Sequence, residues 1–155
     1  MTKFVIDTNV AVVANGRDGQ YDPQCRISCI DQLQAIVSKA RNRLVIDTEG
    51  EIVDESRRYL RPSGQPGVGD HFYRFVLNYR GNTKRVLQVV LPKDANGDYV
   101  DFPQIAALKA FDPSDKKFVA AAVRTGAHVV NAVDSGWNNY RPALKKAGVK
   151  IKQLC

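Results

Sequence analysis

The chain of 155 residues is the size of one domain, and its 44% hydrophobic and 25% charged residues lie near the averages of soluble globular proteins. No apolar run approaches the ~20 residues that span a bilayer, which excludes a transmembrane protein. Lysine and arginine outnumber aspartate and glutamate 23 to 16, a formal net charge of +7 that suits a polyanionic partner or, as simply, a lysine-rich surface.

The opening residues, Met1 to Asp7, hold no long apolar stretch and no small-residue cleavage site, so a cytoplasmic protein is expected. Three cysteines, Cys25, Cys29 and Cys155, give an odd count, and without a secretion signal they are expected to be free thiols. Cys25 and Cys29 are four apart and can share a helix face. Zinc would need two further ligands, and His71 and His128 lack ligand-pair spacing.

In chain order, Phe4-Val5-Ile6 reads as a buried strand ending at Asp7. Asp22-Pro23 makes a helix cap and first residue, and Ile27, Ile30, Leu33, Ile36 and Val37 supply helical spacing. Leu44-Val45-Ile46 is a second buried run, ending at Asp47, before a helix through Ile52, Val53, Tyr59 and Leu60. The stretch 61–69 is a loop rich in Gly and Pro. It is not a phosphate-binding Walker loop, because no Gly-Lys-Ser/Thr follows, and it reads as a connector. Asp70 is expected to cap a helix that buries Phe72, Phe75, Val76 and Tyr79, followed by a strand from Val86 to Leu91. Asp112-Pro113 opens another helix, with Phe118, Val119 and Ala122 as its buried stripe. Val129-Val130 is a third core strand, a helix from Asn138 to Lys146 stops at Gly148, and Val149 and Ile151 suggest a closing strand. Apolar runs alternating with helical segments predict a single α/β domain with a mainly parallel sheet.

The carboxylates carry the chemical information. In parallel α/β folds, ligand sites form beyond the carboxyl ends of the strands. Asp7 ends the first strand and Asp134 lies just past the strand at Val129-Val130. Asp115 precedes Phe118, Val119 and Ala122 by three, four and seven residues and so shares their face; its simpler role is a first-turn acid favouring the helix dipole. Glu55, three residues after Ile52 and four before Tyr59, also lies beside a buried stripe. Glu51 and Asp54 read as solvated, and Asp112 as a cap near the site. Gathered carboxylates repel one another, so a divalent cation is the natural compensating charge, and oxygen ligands alone suit Mg²⁺ or Mn²⁺.

These residues resemble the motifs of PIN-domain nucleases, in order and over nearly the whole chain. Phe4-Val5-Ile6-Asp7-Thr8-Asn9-Val10 is similar to the family's opening signature, and residues 52–60 to the helix whose acid falls on Glu55. Residues 112–120 resemble the third motif, with Asp115, and residues 130–137 the fourth, with Asp134. Many relatives carry Thr or Ser where this chain has Asn131, and some carry a further acid where it has Gly136, so the resemblance leaves one or two metal ions open. It also extends through Gly64 to Asp70, which would put that loop beside the substrate path. The resemblance implies a three-layer α/β/α domain, Mg²⁺ or Mn²⁺, and endonucleolytic cleavage of RNA. Many bacterial members act as toxins neutralised by a cognate antitoxin, often as homodimers, and the resemblance extends those expectations here.

On that reading Asp7 is the central metal ligand, Asp115 and Asp134 ligate directly or through water, and Glu55 ligates or orients the attacking water. Thr8 and Asn9 are placed to hydrogen-bond a carboxylate or a substrate oxygen, with Asn131 and Asp112 in the surrounding shell. Arg57, Arg58, Arg61, Lys116 and Lys117 would receive the RNA backbone, whereas Arg141, Lys145 and Lys146 read as a solvated helix face. Tyr59, Tyr140 and Trp137 are candidates to stack on a base, against the commoner role of packing. Two rivals stand beside this reading. One is a phosphatase with Asp7 as nucleophile, which would need an acid where Asn9 stands. The other is a binding module on a PIN-like fold without catalysis.

Overall fold

Five short strands form one sheet because each apolar run is too short for a helix and is bounded by a turn. The structure, a computed structural model, describes residues 1–17 and 19–155. The elements are β1 (Thr2–Ile6), α1 (Thr8–Asn15), α2 (Pro23–Ser38), β2 (Asn42–Asp47), α3 (Glu51–Tyr59), α4 (Val68–Tyr79), β3 (Val86–Val89), α5 (Lys116–Thr125), β4 (His128–Asn131), α6 (Ser135–Asn139), α7 (Arg141–Lys146) and β5 (Lys150–Gln153). Single 3₁₀ turns lie at Ala106–Leu108 and Pro113–Asp115. The sheet order is β3-β2-β1-β4-β5, with every pairing parallel, and helices flank it as in a three-layer α/β/α fold. The central strands β1, β2 and β4 are buried almost continuously, whereas the edge strands β3 and β5 alternate, β5 showing Lys150 and Lys152 to solvent.

This strand order decides where a site can form. From β1 the chain winds outward to β2 and β3, then returns to lay β4 on the other side of β1. The crevice between the carboxyl ends of β1 and β4 is therefore the topological switch point. Ile6 pairs with Val130, and Asp7 N–H donates to the Val130 carbonyl at 3.0 Å, so residues following both strands emerge at one level.

Several expected elements appear as read. Asp22 caps α2, with Pro23 at its first position, and Asp112 caps the turn before α5, accepting from the Ser114 N–H. Other expectations are corrected. The buried face of α2 is Cys25, Cys29, Gln32, Leu33 and Ile36; Ile27 and Val37 are exposed, because α1, α4 and β2 cover a face about a quarter turn from the stripe that periodicity selects. Tyr59 and Tyr79 are exposed as well, at the last residues of their helices. The helix expected over 138–146 is two, α6 and α7, broken at Tyr140, since Pro142 brings no N–H to continue the first.

Asp70 does not cap α4; Gly67 does, and Asp70 stands in the first turn, fully buried. Its carboxylate accepts from the Arg61 N–H at 2.7 Å, the Gly67 N–H at 2.9 Å and Asn15 Nδ2 at 3.1 Å, and pairs with the Arg17 guanidinium. Burial alone would raise its pKa, but these donors outweigh it and hold the carboxyl below the ordinary range. Next to it, a Cβ on Gly69 would sit 1.9 Å from the Ala11 carbonyl oxygen, so only glycine lets α4 lie this close on α1. The 61–69 segment is thus a connector with a structural task.

The cysteines are not all free. Cys25 and Cys155 form a disulfide, with Cα atoms 5.1 Å apart, and Cys29 alone remains a thiol. The chain leaving β5 returns to the first turn of α2, a meeting across 130 residues that no local spacing could announce.

Candidate metal centre

Each carboxylate of the site stands where a strand or turn hands over to a helix. Asp7 is the N-cap of α1: Oδ1 accepts from the Asn9 N–H at 3.2 Å. Its Oδ2 accepts from the Trp137 indole N–H at 2.8 Å. Asp134 caps α6, accepting from the Gly136 N–H at 2.9 Å. Asp115 ends the 3₁₀ turn and immediately precedes α5. One oxygen from each of Asp7, Asp115 and Asp134 lies within 4.8 Å of the others.

Asp7 and Asp115 are buried and Asp134 is half-buried. Burial is the main reason the Asp7 pKa rises to about 6; the Trp137 and Asn9 donors oppose it, and the charges of Glu55 and Asp134 add to it. Burial likewise raises Asp115, and Asp7, Asp134 and Asp112 raise it further. Three carboxyls held together against their own charge need relief from protons or from a divalent cation. Their donor set is oxygen alone, which fits Mg²⁺ or Mn²⁺.

Glu55 stands beside this triad. Its Oε2 accepts from Thr8 Oγ1 at 2.5 Å and its Oε1 from Lys117 Nζ at 2.9 Å. Lys117, expected at an RNA-facing surface, is buried instead, and its ammonium also donates to the Ser114 carbonyl. It is the internal counter-charge of Glu55. A buried ammonium must find such partners, and the first turn of α5 aims it at α3.

The two asparagines serve the loop rather than the carboxylates. Asn9 Oδ1 accepts from the Ala132 and Val133 N–H groups at 3.0 and 3.3 Å, and its Nδ2 donates to Asn131 Oδ1 at 2.9 Å. Asn131 Nδ2 donates to the Asp134 carbonyl and to Gln153 Oε1, each at 2.9 Å. Gln153 Nε2 closes the set on the Ala132 carbonyl at 2.7 Å. These bonds tie the start of α1 to the turn carrying Asp134, and so hold Asp134 facing Asp7. Asp112 is exposed and spent on its cap.

A cleft of about 230 Å³ opens over Asp7, Glu55 and Asp134, with Val12 and the exposed Tyr59 on its rim and Asp115 behind its wall. Of the expected basic residues, Arg57, Arg58 and Arg61 are exposed on and after α3, Arg57 pairing with Asp54 at 3.2 Å. The Lys116 ammonium lies over the Phe102 ring, 5.0 Å from its centroid. Tyr140 packs edge-on against Phe111, and Trp137 is fully buried, so of the three aromatics only Tyr59 faces the cleft and solvent. Trp137, expected as a base-stacking or packing ring, donates to Asp7, and Gln153 is a residue near the site that sequence reasoning missed. For Trp137 the available signal was its place three residues after Asp134; for Gln153 there was none.

Trp137→Phe should keep the ring in the core while removing the donor that orients Asp7. Mn²⁺ affinity is expected to fall roughly tenfold, as for other groups that orient a ligand. Isothermal titration with Mn²⁺ would check this; unchanged affinity would mean that the α1 cap alone holds Asp7.

No family model, curated protein or solved structure matches the chain.

Proposed function

We propose that the chain is a divalent-metal-dependent endoribonuclease that hydrolyses RNA phosphodiester bonds. The observation that carries this reading is the convergence of Asp7, Asp115 and Asp134 at the switch point of a parallel sheet. Mg²⁺ or Mn²⁺ held there would lower the pKa of a bound water and shield the charge of the phosphate. Asp7, fixed by Trp137 and its own cap, would be the central ligand, with Asp115 and Asp134 on either side. Glu55, bonded to Thr8 and Lys117 on the cleft wall, would orient the attacking water. Arg57, Arg58 and Arg61 would hold the RNA backbone outside the acidic centre, and Tyr59 would offer a face for a base. The excess of basic residues supports a polyanionic substrate.

The phosphatase reading loses ground at Asn9, whose side chain is committed to Ala132, Val133 and Asn131 and carries no proton to give a leaving group. We further propose a cytoplasmic setting and the toxin role of a toxin–antitoxin pair, with an antitoxin and a second copy of the chain as partners. Among the described residues no helix is long and apolar enough to cross a membrane.

The test is incubation of the purified protein with structured and unstructured RNAs in Mn²⁺, Mg²⁺ or EDTA, beside Asp7→Asn. Cleavage that needs metal and drops at least ~100-fold in the variant is expected, on the scale of losing a central electrostatic group. Metal binding at Asp7 with no cleavage of any RNA would replace the nuclease by a binding module.

A further inference from the structure

Cys25 and Cys29 lie one turn apart on the buried face of α2, and the chain leaving β5 brings Cys155 onto the same spot. The three sulfur atoms lie within 4.8 Å of one another. In a tetrahedral thiolate site with bonds of ~2.3 Å, sulfurs are about 3.8 Å apart, inside that range. Two of these sulfurs form the disulfide, which needs no third. Yet Cys29 stands beside it, fully buried, while Cys155 is exposed and offers a way in from solvent.

We propose that Cys25, Cys29 and Cys155, once reduced, form a site for one thiophilic divalent cation of the zinc class, and that the disulfide is the oxidised closure of the same site. A dithiol reductant would deliver two electrons and two protons to the Cys25–Cys155 bond and leave as its own disulfide. The cation would then displace the three thiol protons, bind three thiolates and keep its fourth position for water.

Either closure joins the start of α2 to the end of β5. Gln153, two residues before Cys155, holds the Asn131–Ala132 turn, so the cluster buttresses the strand edge that positions Asp134. The simpler account, a buried cysteine acting as a small apolar side chain, predicts no metal response from Cys29.

The full chain, reduced with a phosphine, would be titrated with Co²⁺ and read by its sulfur-to-cobalt charge-transfer absorbance. One equivalent should saturate the band, Zn²⁺ should displace it, and Asp7→Asn should retain it, which separates this site from the acidic one. The oxidised protein should show no band, and Cys29→Ser a band weaker by roughly a third, one thiolate of three being lost. In the wild-type chain, where folding of a variant is not at issue, Zn²⁺ should slow alkylation of all three thiols at least ~10-fold relative to EDTA. No band in the reduced protein, an undiminished band in Cys29→Ser, or alkylation indifferent to Zn²⁺ would each overturn the proposal.

Discussion

In EDTA the protein should melt at a higher temperature at pH 5 than at pH 8, and Asp7→Asn should narrow that difference, the remainder coming from Asp115. The ordinary carboxyl pKa of 3.8 is raised in the folded chain to about 6 at Asp7, chiefly by burial, and is raised also at Asp115. The folded state therefore keeps protons that the unfolded chain has already released. The stability this lends is full below about 4 and is lost as pH rises through about 6 for Asp7 and higher for Asp115. Over the whole range Asp7 alone loses about 3 kcal/mol, and between pH 5 and pH 8 about 1–2 kcal/mol, or roughly 3–6 °C for a chain of this size. Asp70 is shifted the opposite way, and its contribution is already in place at pH 5. Mn²⁺ should reverse the loss at pH 8 and do little at pH 5, where protons occupy the ligands. Asp7→Asn gives up one of two hydrogen bonds, to Trp137 or to the Asn9 N–H, at about 1 kcal/mol, and still gains on balance at pH 8. Thermal melts of both proteins at the two pH values, with EDTA or Mn²⁺, decide the matter. A wild-type melt higher at pH 8 than at pH 5 in EDTA, or a variant with an unchanged Mn²⁺ response, would remove the metal centre from consideration.

What the sequence reveals and what it hides follow from the range of the interactions. Asp7 and Asp134 were legible because an apolar run that stops at an acid marks both a strand and its exit, and in a parallel sheet all exits share a rim. The caps at Asp22 and Asp112 were legible for the same local reason, each followed by a proline. The partners of Glu55 were not: Thr8 lies 47 residues away and Lys117 62, and a lysine beside an acidic motif looks like a surface charge until the fold turns it inward. Trp137 looked like packing and is packed, but its one polar atom is spent on Asp7. Ile27 and Val37 show the converse limit. A period of 3.6 residues says that a helix has an apolar face, while the neighbour in space decides which part of it is covered. The disulfide lay beyond local reading altogether, since its halves come from the second helix and the end of the chain.

Asp70→Ala should be among the most damaging single substitutions for stability, although the residue lies outside the acidic triad. Its side chain ends fully buried with donors from four directions: the Arg61 and Gly67 N–H groups, Asn15 and Arg17. Together they fasten the 61–67 segment and the start of α4 to the end of α1. Removing the carboxylate leaves buried N–H donors without an acceptor and the arginine without its counter-charge. The expected cost is about 3–5 kcal/mol, or a melting temperature lower by roughly 10 °C. Asp70→Asn keeps the volume but turns one acceptor into a donor facing donors, so it should recover little of the loss. Because α1 also carries Asp7 at its other end, metal affinity per folded molecule, titrated well below the melting temperature, tells a local from a transmitted effect. Unchanged Mn²⁺ affinity is expected, since the cap of Asp7 is made by residues 9 and 137. A stability loss under ~1 kcal/mol would instead show that the close packing of Gly69 on Ala11 already holds α4 in place, with Asp70 merely filling the space that contact leaves.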